Sequence, residues 1–453
     1  MMIRTAQLRK MNEHYDDGKN GIVLLYGRDG CEKEALLRVY LQDKKHFYYR
    51  ARVASATEQY RQMAAQIEAV YDVRLTKGTY NEIFTRIKSG DASKLVVVID
   101  EFQQIVKKDP DFLTAILRLK EKRLYPGPVQ IILASSDLAW MEQNREEHLG
   151  VFADRQMLTI KLDDLAFLDV VRAFPDLSVA EVVRIYGVIG GVPSYVSRWS
   201  GKWDFKTNVC RHILSPYGYL HSEAERYLSL HLRELAVYET ILAAIAAGHR
   251  KLNDLYHLTG FSRAKISVYL RSLMEIGVIE KADSFETGGV RNTQKALYQI
   301  SDHYINFWFR FIYPHLSELY LMKAEDFYDR YIAPEIEDYM NRYFVQVCSE
   351  YMELMNRVHK LPITVTRRGT WIGKQGTIDL VAQDAVRNTI VGGCNWSQPA
   401  MTAEDFKKLL QTLKKARLSP THIFLFTATE FDEALTAWAE QDQRLVLIDM
   451  KQL

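Results

Sequence analysis

A chain of 453 residues, at about 100–200 residues per domain, has room for about three domains. Its 47% hydrophobic and 26% charged residues are ordinary globular values, and they exclude a disordered or collagen-like chain. Fifty-nine Lys and Arg against 57 Asp and Glu leave a net charge of +2, so no global charge drives the chain toward nucleic acid and any basic surface must be local.

The N-terminal segment MMIRTAQLRKMNEHYDDGKNG has no apolar core of about 7–15 residues, so no secretory signal is expected. No window approaches the roughly 18 uncharged apolar residues of a membrane span. Cys31, Cys210, Cys348 and Cys394 are far apart and form no C-x-x-C pair, which argues against a disulfide framework or a zinc ribbon and fits a reducing cytoplasm. His249, His257, His303 and His315 show no ligand spacing. A cytoplasmic protein with no membrane partner is expected.

GIVLLYG (21–27) is an uninterrupted apolar run ending in glycine, as in a strand buried on both faces. A helix over 32–41 follows, then a strand over 45–53. KLVVVIDEFQ (94–103) reads as a strand ending in two carboxylates, and PVQIILASS (128–136) as one ending in two hydroxyls. Strands separated by helices predict a parallel, doubly wound sheet with its ligand site at the carboxyl ends of the strands, where Gly27, Asp100 and Ser135 fall. Further on, three helical segments between 238 and 277 precede two strand-like pieces, 278–285 and 295–300, the order of a winged helix-turn-helix. Its presumed recognition helix carries Ser262, Arg263, Lys265 and Arg271, with Lys251, Arg291 and Lys295 nearby. Such residues suit phosphates and base edges of double-stranded DNA; the alternative is a protein-packing module with a solvated face. The aromatic run 307–313 reads as core, and alternating stretches after 370 predict a small C-terminal α/β domain.

A P-loop requires G-x-x-x-x-G-K-[ST] after a buried strand, so that backbone amides cradle the phosphates, the lysine reaches the outer phosphates and the hydroxyl meets Mg²⁺. Here the octet is Gly27, Arg28, Asp29, Gly30, Cys31, Glu32, Lys33, Glu34. Gly27 and Lys33 hold their positions, whereas Glu32 replaces the second glycine and Glu34 the hydroxyl. A side chain at 32 removes backbone freedom. Each added carboxylate opposes a polyphosphate by up to about a few kcal/mol, which Arg28 and Lys33 offset in part. VVVIDEF (96–102) fits a Walker B segment, with Asp100 holding Mg²⁺ through water and Glu101 orienting the attacking water. Ser135 or Ser136 suits γ-phosphate sensing, and Arg155 is the candidate transition-state arginine. Hydrolysis, binding of ATP and Mg²⁺ without efficient turnover, and no nucleotide role all remain open on these residues.

LLYGR (24–28), VVVIDEFQ (96–103), ILASSDLAWM (132–141), IGGVPSYV (189–196), SPYGYL (215–220), YLRSLMEIGVIEK (269–281) and SDHYINFWFRFIYP (301–314) together resemble the archaeal-type ATPase family of the AAA/STAND P-loop group. The resemblance implies an α/β P-loop NTPase (AAA-like) parallel sheet, then an all-α/winged-helix part and a C-terminal α/β domain of restriction-endonuclease-like fold. The expected division is 1–170 for the ATPase-like domain, 171–228 for a helical lid, 229–303 for the winged helix and 304–453 for the nuclease-like domain. That last domain should carry an acid on an early helix, an Asp in a hairpin and Glu-x-Lys on the next strand, which together hold a metal and stabilise charge. Asp379 matches the hairpin Asp, but Val345, Gly393 and Asn395 stand where the other groups belong. One carboxylate does not hold a catalytic Mg²⁺, so nuclease activity is not expected. The expectation is an ATP-binding switch or scaffold with weak or lost hydrolysis, coupled to a DNA-binding module. The alternative is a nucleotide-independent DNA-binding protein, or a scaffold for a protein partner or for self-association.

Overall fold

The computed structural model describes residues 4–87, 94–121, 125, 127–150, 157–285, 297–373 and 376–453, with only the backbone taken for 145–148. The chain divides into two compact units, 1–164 with 192–194, and 165–191 with 195–453.

The first unit is built on five parallel strands: β1 (Gly21–Gly27), β2 (His46–Arg50), β3 (Leu95–Asp100), β4 (Val129–Ser135) and β5 (Met157–Leu162), in the order β2-β3-β4-β1-β5. β1, β3 and β4 are buried at every position, which is why their sequences run apolar without alternation. Ile22, Leu24 and Tyr26 enter one core while Val23 and Leu25 enter the other, so one strand serves both faces of the sheet. The expected strands over 45–53, 94–103 and 128–136 are present in shorter form. β5 was not anticipated: it is an edge strand, and the exposed Thr159 and Lys161 interrupt its apolar run. Because the connections cross over, Gly27, Arg50, Asp100 and Ser135 all end strands at the same edge of the sheet.

In the second unit, the helix Val179–Ile189 opens on a capping box, Ser178 with Glu181. It lies along the 22-residue helix Ile336–Arg357. Arg184 pairs with Glu337 at 2.9 Å, and Glu350 accepts from the Tyr186 hydroxyl and the Phe167 amide, each at 2.8 Å. The stretch read as a lid is therefore bonded to the helix Ile336–Arg357. Helices Leu235–Ala246, Leu252–Thr259 and Arg263–Glu275 are followed by the antiparallel pair β6 (Ile279–Ala282) and β7 (Leu297–Ile300). The segment between them, with Arg291 and Lys295, lies outside the described residues. Phe307, Trp308, Phe309 and Phe311 are buried, as the aromatic run suggested.

A second five-stranded sheet contains β8 (Arg367–Gly373), β9 (Gly376–Gln383), β10 (Thr389–Asn395), β12 (His422–Thr427) and β14 (Leu445–Ile448). Its order is β14-β12-β10-β9-β8, antiparallel through β8, β9 and β10 and parallel beyond. The short β11 (Ala400–Met401) and β13 (Glu430–Phe431) pair beside it. Among the described residues no helix is long and apolar enough to cross a membrane.

Gly191 sets a steric requirement in this unit. Its carbonyl accepts from the Leu165 amide at 2.8 Å, and a Cβ at 191 would overlap the Leu165 carbonyl. Gly191→Ala is expected to destabilise the fold by about 3 kcal/mol. A lowered urea midpoint would show it, and an unchanged midpoint would show that the contact gives way.

Candidate functional site

The loop after β1 is shaped by close approach. A Cβ at Gly27 would sit 2.5 Å from the Leu162 carbonyl oxygen, and one at Gly30, where φ is +86°, 2.6 Å from the Ser194 hydroxyl. Glu32, which replaces the expected glycine, is left-handed at φ 60°, ψ 31°, a conformation disfavoured by roughly 1–2 kcal/mol in a residue with a Cβ. It stands at the N-cap of the helix Lys33–Leu41 and supplies no side-chain cap, so the positive end of that helix faces the loop uncapped.

Lys33 is the centre of the site. Its side chain is 3% exposed, and its ammonium donates to Asp100 Oδ1 and, at 2.6 Å, to Glu101 Oε1. Burial works against the charge on Lys33, but the two carboxylates outweigh it and hold the ammonium above its ordinary pKa. Asp100 is fully buried; its Oδ2 accepts from the Tyr48 hydroxyl at 2.7 Å and lies 3.9 Å from Arg50 Nε. Glu101 is also left-handed, at φ 53°. The Ser136 hydroxyl donates to it at 2.6 Å, the Ser136 amide at 3.2 Å and Gln103 Nε2 at 2.7 Å. Burial would raise the Glu101 carboxyl, but Lys33, Ser136 and Gln103 hold it down at about 2.

The structure thus brings Lys33, Asp100, Glu101 and Ser136 together as their spacing suggested. Of the two candidate hydroxyls it is Ser136 that reaches Glu101, while Ser135 accepts from the Asp137 amide at 3.1 Å. Arg28 turns to Asp164, with Nη1 at 3.3 Å. Glu34 pairs with Arg50. Arg155 lies outside the described residues. Tyr48, Arg50 and Gln103 escaped the reading from sequence. The signal was the end of the second strand, because parallel pairing sets Arg50 beside Asp100.

For ATP, the uncapped helix end and Lys33 are the groups that would meet phosphates. For Mg²⁺, Asp100 is the group that would hold the ion; Glu34 is drawn aside by Arg50. These residues fit a nucleotide once Lys33 leaves its carboxylates.

At the second expected site, Asp379 lies on β9 and accepts from the Cys394 amide at 2.9 Å; burial pushes its carboxyl up. Asn395 is spent on Thr427 and Thr429, at 3.1 and 3.3 Å, and Val345 is half-buried on its helix. Among the described residues no cluster of three metal-ligating side chains occurs. On the helix Arg263–Glu275, Ser262 is the N-cap, accepting from the Lys265 amide at 3.2 Å. Arg263, Lys265 and Arg271 are exposed, Arg263 lying 4.1 Å over the Tyr256 ring and bonded to Asn253 at 2.7 Å.

A parallel sheet in this order, a glycine-bounded loop running into a helix, and an acidic pair ending β3 define a P-loop ATPase-like fold. Residues 2–198 match the family described as an ATPase domain predominantly from Archaea. Residues 308–409 match a family described as archaeal and bacterial proteins of unknown function. The resemblance to the archaeal-type ATPase family is thereby shown. An uncharacterized protein of Methanocaldococcus jannaschii is 25% identical over 419 residues, spanning 92% of this chain and 91% of that protein. Among solved structures, a Walker-type ATPase of Pyrococcus abyssi is similar at a TM-score of 0.47 and 16% identity, over 68% of this chain and 96% of that one. The ORC2 protein of Aeropyrum pernix is similar at 0.46 and 12%, over 70% and 94%.

Removing Lys33 would strand a buried carboxylate. Lys33→Ala is expected to destabilise by about 3–5 kcal/mol, and Lys33→Ala with Asp100→Asn to recover much of that; equal losses in both variants would refute the coupling. Because the Glu101 carboxyl is depressed in the fold, its stabilisation is full above its ordinary value of 4.5 and is lost as pH falls through about 2. Acid unfolding of wild type against Glu101→Gln should show this as a difference that shrinks below pH 4.5.

Proposed function

We propose that the chain is a nucleotide-responsive switch: an ATP-binding P-loop domain with weak affinity and slow or lost turnover, coupled to a winged-helix module that contacts double-stranded DNA. The observation that carries this reading is the pairing of Lys33 with both Walker B carboxylates. A γ-phosphate must compete with Asp100 and Glu101 for the lysine, which weakens binding. Drawing the lysine away leaves Glu101 held by Ser136 and Gln103 alone, so occupancy of the site is transmitted to the ends of β3 and β4. While Lys33 is paired with it, Glu101 is held at about 2 and is a poor proton acceptor, so the resting arrangement keeps the carboxylate from activating water. In this reading Asp100 holds Mg²⁺, Ser136 reports the γ-phosphate through Glu101, and Arg155 steadies the transition state of whatever slow hydrolysis remains. Glu32 and Glu34 hold affinity down, the first by backbone geometry and the second by standing, paired to Arg50, where a hydroxyl would meet Mg²⁺.

A second reading rests on the exposed Arg263, Lys265 and Arg271: DNA binding that needs no nucleotide, with the P-loop domain as a scaffold. The nuclease-like C-terminal part is proposed to be inactive in both readings, since Asp379 stands without a second carboxylate at its own site.

Calorimetry with Mg-ATP separates the two. Wild type is expected to bind weakly, and Glu32→Gly with Glu34→Thr to bind at least about tenfold more tightly, because the glycine lets the loop close on the phosphates and the hydroxyl supplies the group that meets Mg²⁺. Absence of heat in both proteins would discard the switch and leave the nucleotide-independent reading.

A further inference from the structure

The segment SPYGYL (215–220) has no part in the nucleotide site or in the basic helix, yet it is firmly built. It follows a π-helical turn, Cys210–Leu214, a rare local geometry that is frequent at functional sites. The Ser215 amide donates to the Cys210 carbonyl, the Gly218 amide to the Ser215 carbonyl and the Leu220 amide to the His212 carbonyl, each at 2.8 Å. A Cβ at Gly218 would overlap the His212 carbonyl, so the loop is clamped onto that turn.

What the clamp displays is aromatic and cationic. Tyr217 is 98% exposed at the tip, Tyr219 42% and Trp203 37%. The Arg198 guanidinium lies 3.8 Å over Tyr219, and that of Arg211 lies 4.4 Å over Trp203. The His212 ring sits 5.8 Å from Trp203 at 31°, which ties the tryptophan to the same turn that holds the loop. Both arginines are exposed, as is Lys202, while the neighbouring Asp204 is used as a helix cap at 2.7 Å from the Thr207 amide. Tyr217 stands open to water on this rigid loop with Tyr219 beside it, and Trp203 is held at the turn beneath by His212; a built cluster of exposed rings and cations calls for a partner.

We propose that this surface binds single-stranded nucleic acid, with bases stacking on Tyr217, Tyr219 and Trp203 and backbone phosphates meeting Arg198 and Arg211. The interleaving of ring faces and cations matches a chain in which every unit carries one π-face and one negative charge. Duplex DNA keeps its base faces inside its own stack and would use only the cations. An acidic polypeptide would likewise leave the rings idle. This binding requires neither nucleotide in the P-loop nor the basic helix 263–275.

The test is fluorescence anisotropy of the full chain with a labelled fifteen-nucleotide thymidine oligomer at low salt. Saturable binding is expected. Tyr217→Ala, which removes a fully exposed ring and leaves folding intact, should weaken it about 5- to 100-fold, the range for one lost stacking contact. Arg211→Gln should lower the salt slope by about 0.7. No saturable binding, or an affinity indifferent to Tyr217→Ala and Arg211→Gln, would overturn the proposal. So would competition by polyglutamate of equal charge as effective as the unlabelled oligomer, which would assign the surface to an acidic protein segment.

Discussion

One buried ammonium between two carboxylates holds the end of the first sheet together. Lys33 comes from the helix after β1, and Asp100 and Glu101 from the end of β3, so their pairing joins two strands that β4 separates. Removed from water, none of these charges is tolerable alone, and the arrangement persists because each satisfies the others. The surrounding groups follow from that need. Tyr48 fills the second oxygen of Asp100, Ser136 and Gln103 fill the remaining positions on Glu101, and Arg50 is left to neutralise Glu34. The departures from a standard P-loop are therefore accommodated by a local network rather than left as isolated faults.

The two expected sites are built differently. Around Lys33 the charged groups survive and are mutually engaged, which is why a switch remains a coherent reading. Around Asp379 no group of three metal-ligating side chains occurs among the described residues. Its carboxyl is buried beside a backbone amide, Asn395 has become part of a hydroxyl-and-amide cluster with Thr427 and Thr429, and the position on the helix is a valine. Burial raises that carboxyl, the opposite of the direction a bound metal ion would impose.

Much of this was legible in the chain because the responsible features are local. β1, β3 and β4 are buried on both faces and so read as unbroken apolar runs, and the spacing from Gly27 to Lys33 is set by one loop. What escaped depends on neighbours distant in sequence. Tyr48 and Arg50 matter only because β2 lies beside β3, a fact of sheet order. β5 escaped for another reason: an edge strand with Thr159 and Lys161 exposed has no uninterrupted pattern to find. The surface of Trp203, Tyr217 and Tyr219 was hidden too, since its members are assembled by a π-helical turn that no periodicity announces.

The engagement of Lys33 also has a kinetic side. A ligand that can bind only after a buried ion pair opens is captured at a rate set by that opening rather than by diffusion. Interactions sealed from solvent are little screened by salt. Nucleotide entering here would thus arrive slowly and at a pace almost indifferent to ionic strength. The charged face of the helix 263–275, open to water, would respond to the same change of salt at once. In the proposed switch, the two ends would run on separate clocks.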